Sequence, residues 1–303
     1  MSIAAQVAIL FLVVLVGVLC RRLGYFTDET IRGVTQLVVN VTLPVLTVYN
    51  MQRPFDMHVL TNFLLTLLLS LAAILASIGG ASLLFRHRPH DKRAVLLNMA
   101  GFSNCGFMGY PVMTSLIGTI GVFYGSAYNV IFTVLSWTYG IYAITGDKTQ
   151  LKLRPLLLNP GVISIVLALA LYLLEITLPD IIMTPATYLS ALNTPLPMVV
   201  VGSQLSHADF RAALKGASSW ITMLLRLVAF PLLSLGICLA LGLNSDLTMV
   251  LVIAASAPAA ALLSMLSAKF ELDSELASSM VSVQTAFSAL TMPLVVSLVD
   301  YLA

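Results

Sequence analysis

Apolar residues run along this chain in blocks of about twenty, separated by short polar stretches that hold nearly all of its charge. A block of that length crosses the roughly 30 Å hydrocarbon core of a bilayer as an α-helix. Inside that core a helix satisfies its own backbone polar groups, which an open strand cannot do. Ten spans are predicted: Ile3–Leu23, Thr30–Met51, His58–Phe85, Lys92–Ile117, Gly121–Ile144, Pro160–Leu178, Ile182–Leu205, Ala217–Leu243, Leu247–Ala268 and Ser274–Leu302. The connections between them are too short for a separate soluble domain. The expected class is an all-α membrane protein whose principal partner is the lipid bilayer.

Composition agrees with this pattern. Hydrophobic residues make up 59% of the 303 residues and charged ones 9%, against about a quarter charged in soluble domains. The basic residues then orient the spans. Arg21, Arg22, Arg32, Arg86, Arg88, Lys92, Arg93, Lys148, Lys152, Arg154, Arg211, Lys215 and Lys269 surround the odd-numbered connections, Arg53 alone the even ones, and Arg226 lies inside a span. The positive-inside rule places the odd connections in the cytoplasm and both termini outside, in a multi-pass protein of the cell inner membrane. Because the basic residues are used in topology, the net charge of +2 decides nothing about partners; no nucleic acid is expected. Arg21 and Arg22 follow the first apolar run instead of preceding it, the reverse of a secretory signal, so that run is expected to remain as a helix. Cys20, Cys105 and Cys238 lack paired spacing and suggest neither disulfides nor a metal site. His58, His87, His90 and His207 lie at span ends or in connections, and no cofactor is expected.

The two halves resemble each other. Asn40-Val41-Thr42-Leu43-Pro44 in the second span matches Asn193-Thr194-Pro195-Leu196-Pro197 in the seventh, and the same offset sets Asp56 opposite Asp209. Five spans per repeat is an odd number, so the second half, residues 151–303, is expected to sit inverted relative to the first, residues 1–150. Inverted repeats of this kind characterise secondary transporters, whose binding sites lie at helices broken by Gly or Pro.

Two such breaks occupy corresponding places. The fourth span contains Ser103-Asn104-Cys105-Gly106-Phe107-Met108-Gly109-Tyr110-Pro111, and the ninth contains Ser256-Ala257-Pro258-Ala259-Ala260-Ala261, followed by Ser264. Proline removes a backbone donor and clashes with the preceding turn, and small residues let backbones approach closely. The two interrupted helices are therefore expected to cross, their positive N-terminal half-helix ends favouring an anion. Candidate substrate-binding residues are Asn104, Gly106, Gly109, Tyr110, Pro111, Ser256, Ala257 and Pro258. Asn40 and Asn193 precede further breaks at Pro44, Pro195 and Pro197; binding substrate and capping the local break are both open to them. Arg226 lies eleven residues past Lys215, roughly 16 Å into the membrane at 1.5 Å per residue. Two roles are open to it: binding a carboxylate through its planar fork, or bonding carbonyls freed by the broken helices. Asn129 in the fifth span and Gln284 and Thr285 in the tenth are candidates for a coupling-ion or proton site, or for packing between helices.

The Asn40–Pro44 element, the run from Asn104 to Pro111, and Ala257-Pro258 with its Ala-rich continuation resemble the auxin efflux carrier family in its short bacterial form, across essentially the whole chain. The resemblance implies ten helices in two inverted five-helix repeats, with the fourth and ninth broken and crossing, related to bile-acid symporters and sodium/proton antiporters. Spans one, two, six and seven would form a scaffold, often a dimer interface in related folds, and the others a mobile transport domain. Members export or exchange organic anions such as auxin or bacterial carboxylates. By carry-over, Asn104 and Pro111 would flank one side of the crossing and Pro258 the other. The plant carriers have an acidic residue in the third span, where this chain offers only Ser70 and Ser77. Their long central loop is replaced here by the short stretch from Thr145 to Asn159.

The expected function is a secondary carrier of a small organic anion working by an elevator-like shift, with proton or sodium coupling open. Sodium-coupled uptake of the bile-acid type and a channel or sensor are the alternatives. An intramembrane protease would need a Ser–His pair or two aspartates within the membrane; no histidine lies deep in a span.

Overall fold

The computed structural model describes residues 3–151, 153–206 and 210–302. Among these residues the chain is helical throughout, with one isolated β-bridge. Six helices are long and apolar enough to cross a membrane: α1 (Ile3–Arg22), α2 (Asp28–Met51), α3 (Met57–Leu84), α6 (Thr119–Thr145), α10 (Ala217–Ala240) and α13 (Ser274–Leu302). The remaining expected spans are short or interrupted. The fourth is α4 (His90–Gly101) and α5 (Cys105–Ile117); the sixth is α7 (Pro160–Leu173). The seventh is α8 (Asp180–Ala191) and α9 (Pro195–Leu205), and the ninth is α11 (Ser245–Ser256) and α12 (Ala261–Lys269). The sixth span thus ends five residues earlier than its apolar run predicted, because the chain leaves the helix beyond Leu173, with Glu175 at a positive φ of 53°.

Helix ends follow local chemistry. Thr27 caps α2 by accepting from the Thr30 amide at 3.1 Å, and Asp56 caps α3 by accepting from His58 at 2.7 Å. Asn159 and Asn244 cap α7 and α11 in the same way. Each of these side chains satisfies an amide that the first helical turn leaves free. The Asp56–Asp209 correspondence cannot be followed here, since Asp209, like His207 and Lys152, lies outside the described residues.

α1 runs against α9, and α7 against the second half of α2. The first of these contacts is a backbone approach. A Cβ added at Gly202 would collide with the Val14 carbonyl, and one at Gly17 with the Val199 carbonyl. With lipid as solvent, apolar burial does not drive helices together, and association rests on close packing of this kind. At the end of the molecule opposite the basic connections, the Tyr172 hydroxyl accepts from the Asp56 amide and donates to its carbonyl, both at 3.0 Å. The Phe123 ring stands edge-on to Tyr172 at 5.2 Å, and the Arg53 guanidinium lies 5.4 Å from the Phe123 centroid.

Gly202→Ala is expected to lower the stability of the detergent-solubilised protein by about 1–3 kcal/mol, the usual cost of overpacking. Gly236→Ala serves as the control, because a Cβ there meets nothing within 4 Å. Equal melting temperatures for the two variants would show that the α1–α9 contact is not limiting.

Candidate functional site

The site is built where α4 and α11 stop. Gly101 ends α4, and Phe102 is extended at φ −115° and ψ 119°. Pro258 ends α11, because the residue before a proline is driven out of the helical region; Ala257 accordingly sits at φ −64°, ψ 143°. The two extended segments run antiparallel and pair. The Asn104 amide donates to the Pro258 carbonyl at 2.7 Å, the Ala260 amide to the Phe102 carbonyl at 3.2 Å, and Ser103 bridges Ala259. Phe102, Ser103, Ala257 and Ala259 are fully buried. This is a two-rung piece of sheet inside a bundle of helices, so each broken helix supplies partners for the other's backbone.

Three side chains complete the crossing. The Gln284 carbonyl oxygen accepts from the Ala259 amide at 2.9 Å, and its amide nitrogen donates to the Met99 carbonyl at 3.4 Å. The Ser103 and Tyr128 hydroxyls share a hydrogen bond of 2.9 Å. Arg226, 1% exposed, donates to the Ala100 carbonyl at 3.2 Å and to the Ala255 carbonyl. Those carbonyls terminate α4 and α11, so one cation meets the negative ends of two helix dipoles that converge in the interior. Of the two roles open to Arg226, these contacts are of the carbonyl-bonding kind.

The two half-helices that leave the crossing begin differently. The Asn104 side-chain oxygen caps α5, accepting from the Phe107 amide at 3.4 Å. Gly106 lies beside it, and a Cβ there would stand 3.8 Å from the Asn129 side-chain oxygen and 3.9 Å from Leu43. Asn104, Gly106 and Asn129 are half-buried and share this flank. Gly109, Tyr110 and Pro111 are buried in the packing beneath it; the Tyr110 hydroxyl has no hydrogen-bond partner. Ser256 is also buried and donates back to Val252 at 2.7 Å. α12, on the other flank, starts at Ala260, which has no side chain able to cap it. From there a cavity of about 320 Å³ leads to Arg21 and Asp28, and Ala261, Ser264, Ser203, Gln204, Ser279 and Ser282 line it. Arg21 and Asp28 form an ion pair at its mouth.

The other candidates divide. Asn193, 3% exposed, donates to the Thr42 carbonyl at 2.7 Å and accepts from the Thr42 hydroxyl at 3.0 Å. It ties the start of α9 to the π-helical turn Val38–Thr42 of α2, the capping role open to it. Asn40, its counterpart in the matching sequence element, is exposed on that same turn, so a shared sequence pattern ends in two environments. Gln284 has both ends of its amide engaged by the crossing, and Thr285 donates to Val281 at 2.8 Å; these contacts are of the packing kind. Thr42 and the cavity serines escaped the sequence reading. For Ser279 and Ser282 the signal was a polar face, shared with Ser278, on one apolar helix.

Arg226→Gln cannot reach both carbonyls. The loss expected is about 1–3 kcal/mol for each buried carbonyl left unpaired, read as a lower melting temperature, with ligand affinity falling only as folded protein is lost. A variant that melts like the parent and binds no anion would assign Arg226 to the substrate instead.

Two archaeal proteins, each described as an uncharacterized transporter, align along almost their full length. That of Methanothermobacter thermautotrophicus is 29% identical over 292 residues, 93% of either chain. That of Methanocaldococcus jannaschii is 27% identical over 303 residues, 95% of this chain and 96% of the other. The family model described as "Membrane transport protein" matches residues 2–296. With that match across nearly all of its length, the chain belongs to the membrane transport protein family, that of the auxin efflux carriers.

Proposed function

We propose that this membrane transporter is a secondary carrier of small organic anions that works by alternating access around the α4–α5/α11–α12 crossing. The observation that carries the reading is the buried backbone bridge at Ser103 and Ala259 with an uncapped half-helix N-terminus opening from it into a cavity. Half-helix N-termini at the middle of a membrane protein attract anionic groups. Non-helical backbone at that depth is tolerated where protein buries it or where it lines a cavity.

In this reading the chain is ten spans in two inverted repeats, residues 1–150 and 151–303. The helix contacts support it by occurring in mirrored pairs. The first span packs on the seventh as the sixth does on the second, and α4 packs on the third span as α11 does on the eighth. Spans one, two, six and seven then form the scaffold, and the unit holding the crossing moves against it. The cavity lies between these two sets: Arg21, Asp28, Ser203 and Gln204 come from the scaffold, and Ala261, Ser264, Ser279 and Ser282 from the mobile unit. Its mouth is on the basic face, which the positive-inside rule assigns to the cytoplasm, while the Tyr172–Phe123–Arg53 contacts hold the opposite face closed. The state is inward-open, and outward opening requires those contacts to part. Binding at the crossing involves Asn104, Gly106 and Asn129 on one flank and the α12 start on the other.

Purified protein in liposomes preloaded with an unlabelled carboxylate is expected to accumulate the labelled acid transiently by counterflow, with saturation. The measurement is repeated with and without a sodium or a proton gradient to identify coupling. Unsaturable current without counterflow would replace the carrier with a channel. Phe123→Ala, which loosens the closed face, is expected to change the exchange rate while the protein still binds the acid.

A further inference from the structure

The two half-helices at the crossing are not equivalent. The positive end of α5 is already occupied by the Asn104 side-chain oxygen. That of α12 is not: Ala260 makes no side-chain cap, and among the described residues nothing accepts from the Ala261 and Leu262 amides. This free end opens directly into the cavity, which Ala261 lines. The cavity wall holds a second, independent signal. Ser203 and Ser279 are 2% and 5% exposed, yet among the described residues neither hydroxyl has a hydrogen-bond partner, whereas Ser77, Ser256 and Ser267 each bond back to their own helix. Serine in an apolar helix ordinarily returns its hydroxyl to the carbonyl four residues back; Ser203 and Ser279 do not, and their oxygens stay open to the cavity instead. These hydroxyls line the cavity, and Gln204 and Ser264 beside them also lack bonds to protein.

Resting on the carrier reading above, we propose that the cavity at the α12 N-terminus is an anion subsite selective for small, non-aromatic acids bearing hydroxyl groups. The carboxylate is received by the Ala261 and Leu262 amides and the Ser264 hydroxyl. The substrate's own hydroxyls pair with Ser203, Ser279 and Gln204. Among the described residues no aromatic side chain lines the cavity, so a flat ring would find no stacking face and would leave the serines unpaired. A site built to hydrogen-bond hydroxyls discriminates strongly against analogues that lack them. At the mouth Arg21 is matched by Asp28, so anion selection rests on the inner end, where the helix terminus is.

The backbone allows a direct test. Proline is tolerated at the first position of a helix, where its missing N–H is one that the helix does not use. Ala260 already has φ −72° and ψ 128°, the conformation that a following proline demands. Ala261→Pro therefore deletes one anion donor at little cost to the fold. The full-length protein in detergent is titrated calorimetrically with tartrate, glycerate, butyrate and indole-3-acetate. Expected for the parent is binding of tartrate or glycerate at least tenfold tighter than butyrate, and no binding of indole-3-acetate. Expected for Ala261→Pro is a tenfold or greater loss for the acids at an unchanged melting temperature. Ser279→Ala is expected to erase most of the preference for tartrate and glycerate over butyrate, and it stands as the test should the proline variant fail to fold. Binding of indole-3-acetate, or of the acids unaltered by both substitutions, would overturn the subsite and leave the anion carrier standing. Failure of every acid to bind would overturn both.

Discussion

A helix that stops inside a membrane leaves carbonyls at one end and amides at the next helix's start, with no water to receive them. The rest of this structure depends on how that problem is solved. α4 and α11 stop side by side, so the segment after each supplies backbone partners to the other across Ser103 and Ala259. Arg226 and Gln284 then reach in from α10 and α13 to take carbonyls that the pairing does not. A buried arginine is costly alone; here two converging helix dipoles supply the negative charge that no carboxylate provides.

The same arrangement explains why the crossing, a joint, also suits the proposed site. Once the carbonyl ends are satisfied, what remains reactive toward a ligand is the positive end of each outgoing half-helix. One is taken by Asn104 and the other opens on a cavity, so the two breaks, alike in backbone, differ in chemistry. The asymmetry coincides with the opening on the basic face of the molecule, and the opposite face is held by Tyr172, Phe123 and Arg53. Around it the packing is close, as at Gly17 and Gly202, where α1 and α9 touch backbone to backbone.

Much of this was legible in the chain. Runs of about twenty apolar residues mark spans because the bilayer thickness sets their length; all ten expected starts lie within two residues of a helix start, and nine of the ten expected ends within three residues of a helix end. Pro258 and the Asn104–Pro111 run mark breaks because proline and glycine act on the backbone locally. The resemblance to the auxin efflux carriers, read from those same breaks, is matched by the family comparison. Less legible was what the polar side chains do. Asn40 and Asn193 share a pattern, yet one is exposed and the other bridges to Thr42, since the partner lies 151 residues away. Gln284 was open to coupling or to packing because an amide in a span demands a partner, and the sequence does not say that the crossing itself supplies one.

By itself the sequence determined that the chain is helical and membrane-embedded, where its helices break and which end of the molecule is basic. These follow from composition, length and local backbone chemistry, which need no knowledge of neighbours. Only the tertiary structure decided that the breaks at Ser103 and Ala259 pair, that Arg226 serves carbonyls from both, and that serines from three separate helices share one cavity. Those outcomes depend on which segments meet in space, and hydrogen bonding over 29 to 185 residues of separation leaves no periodicity in the chain to read.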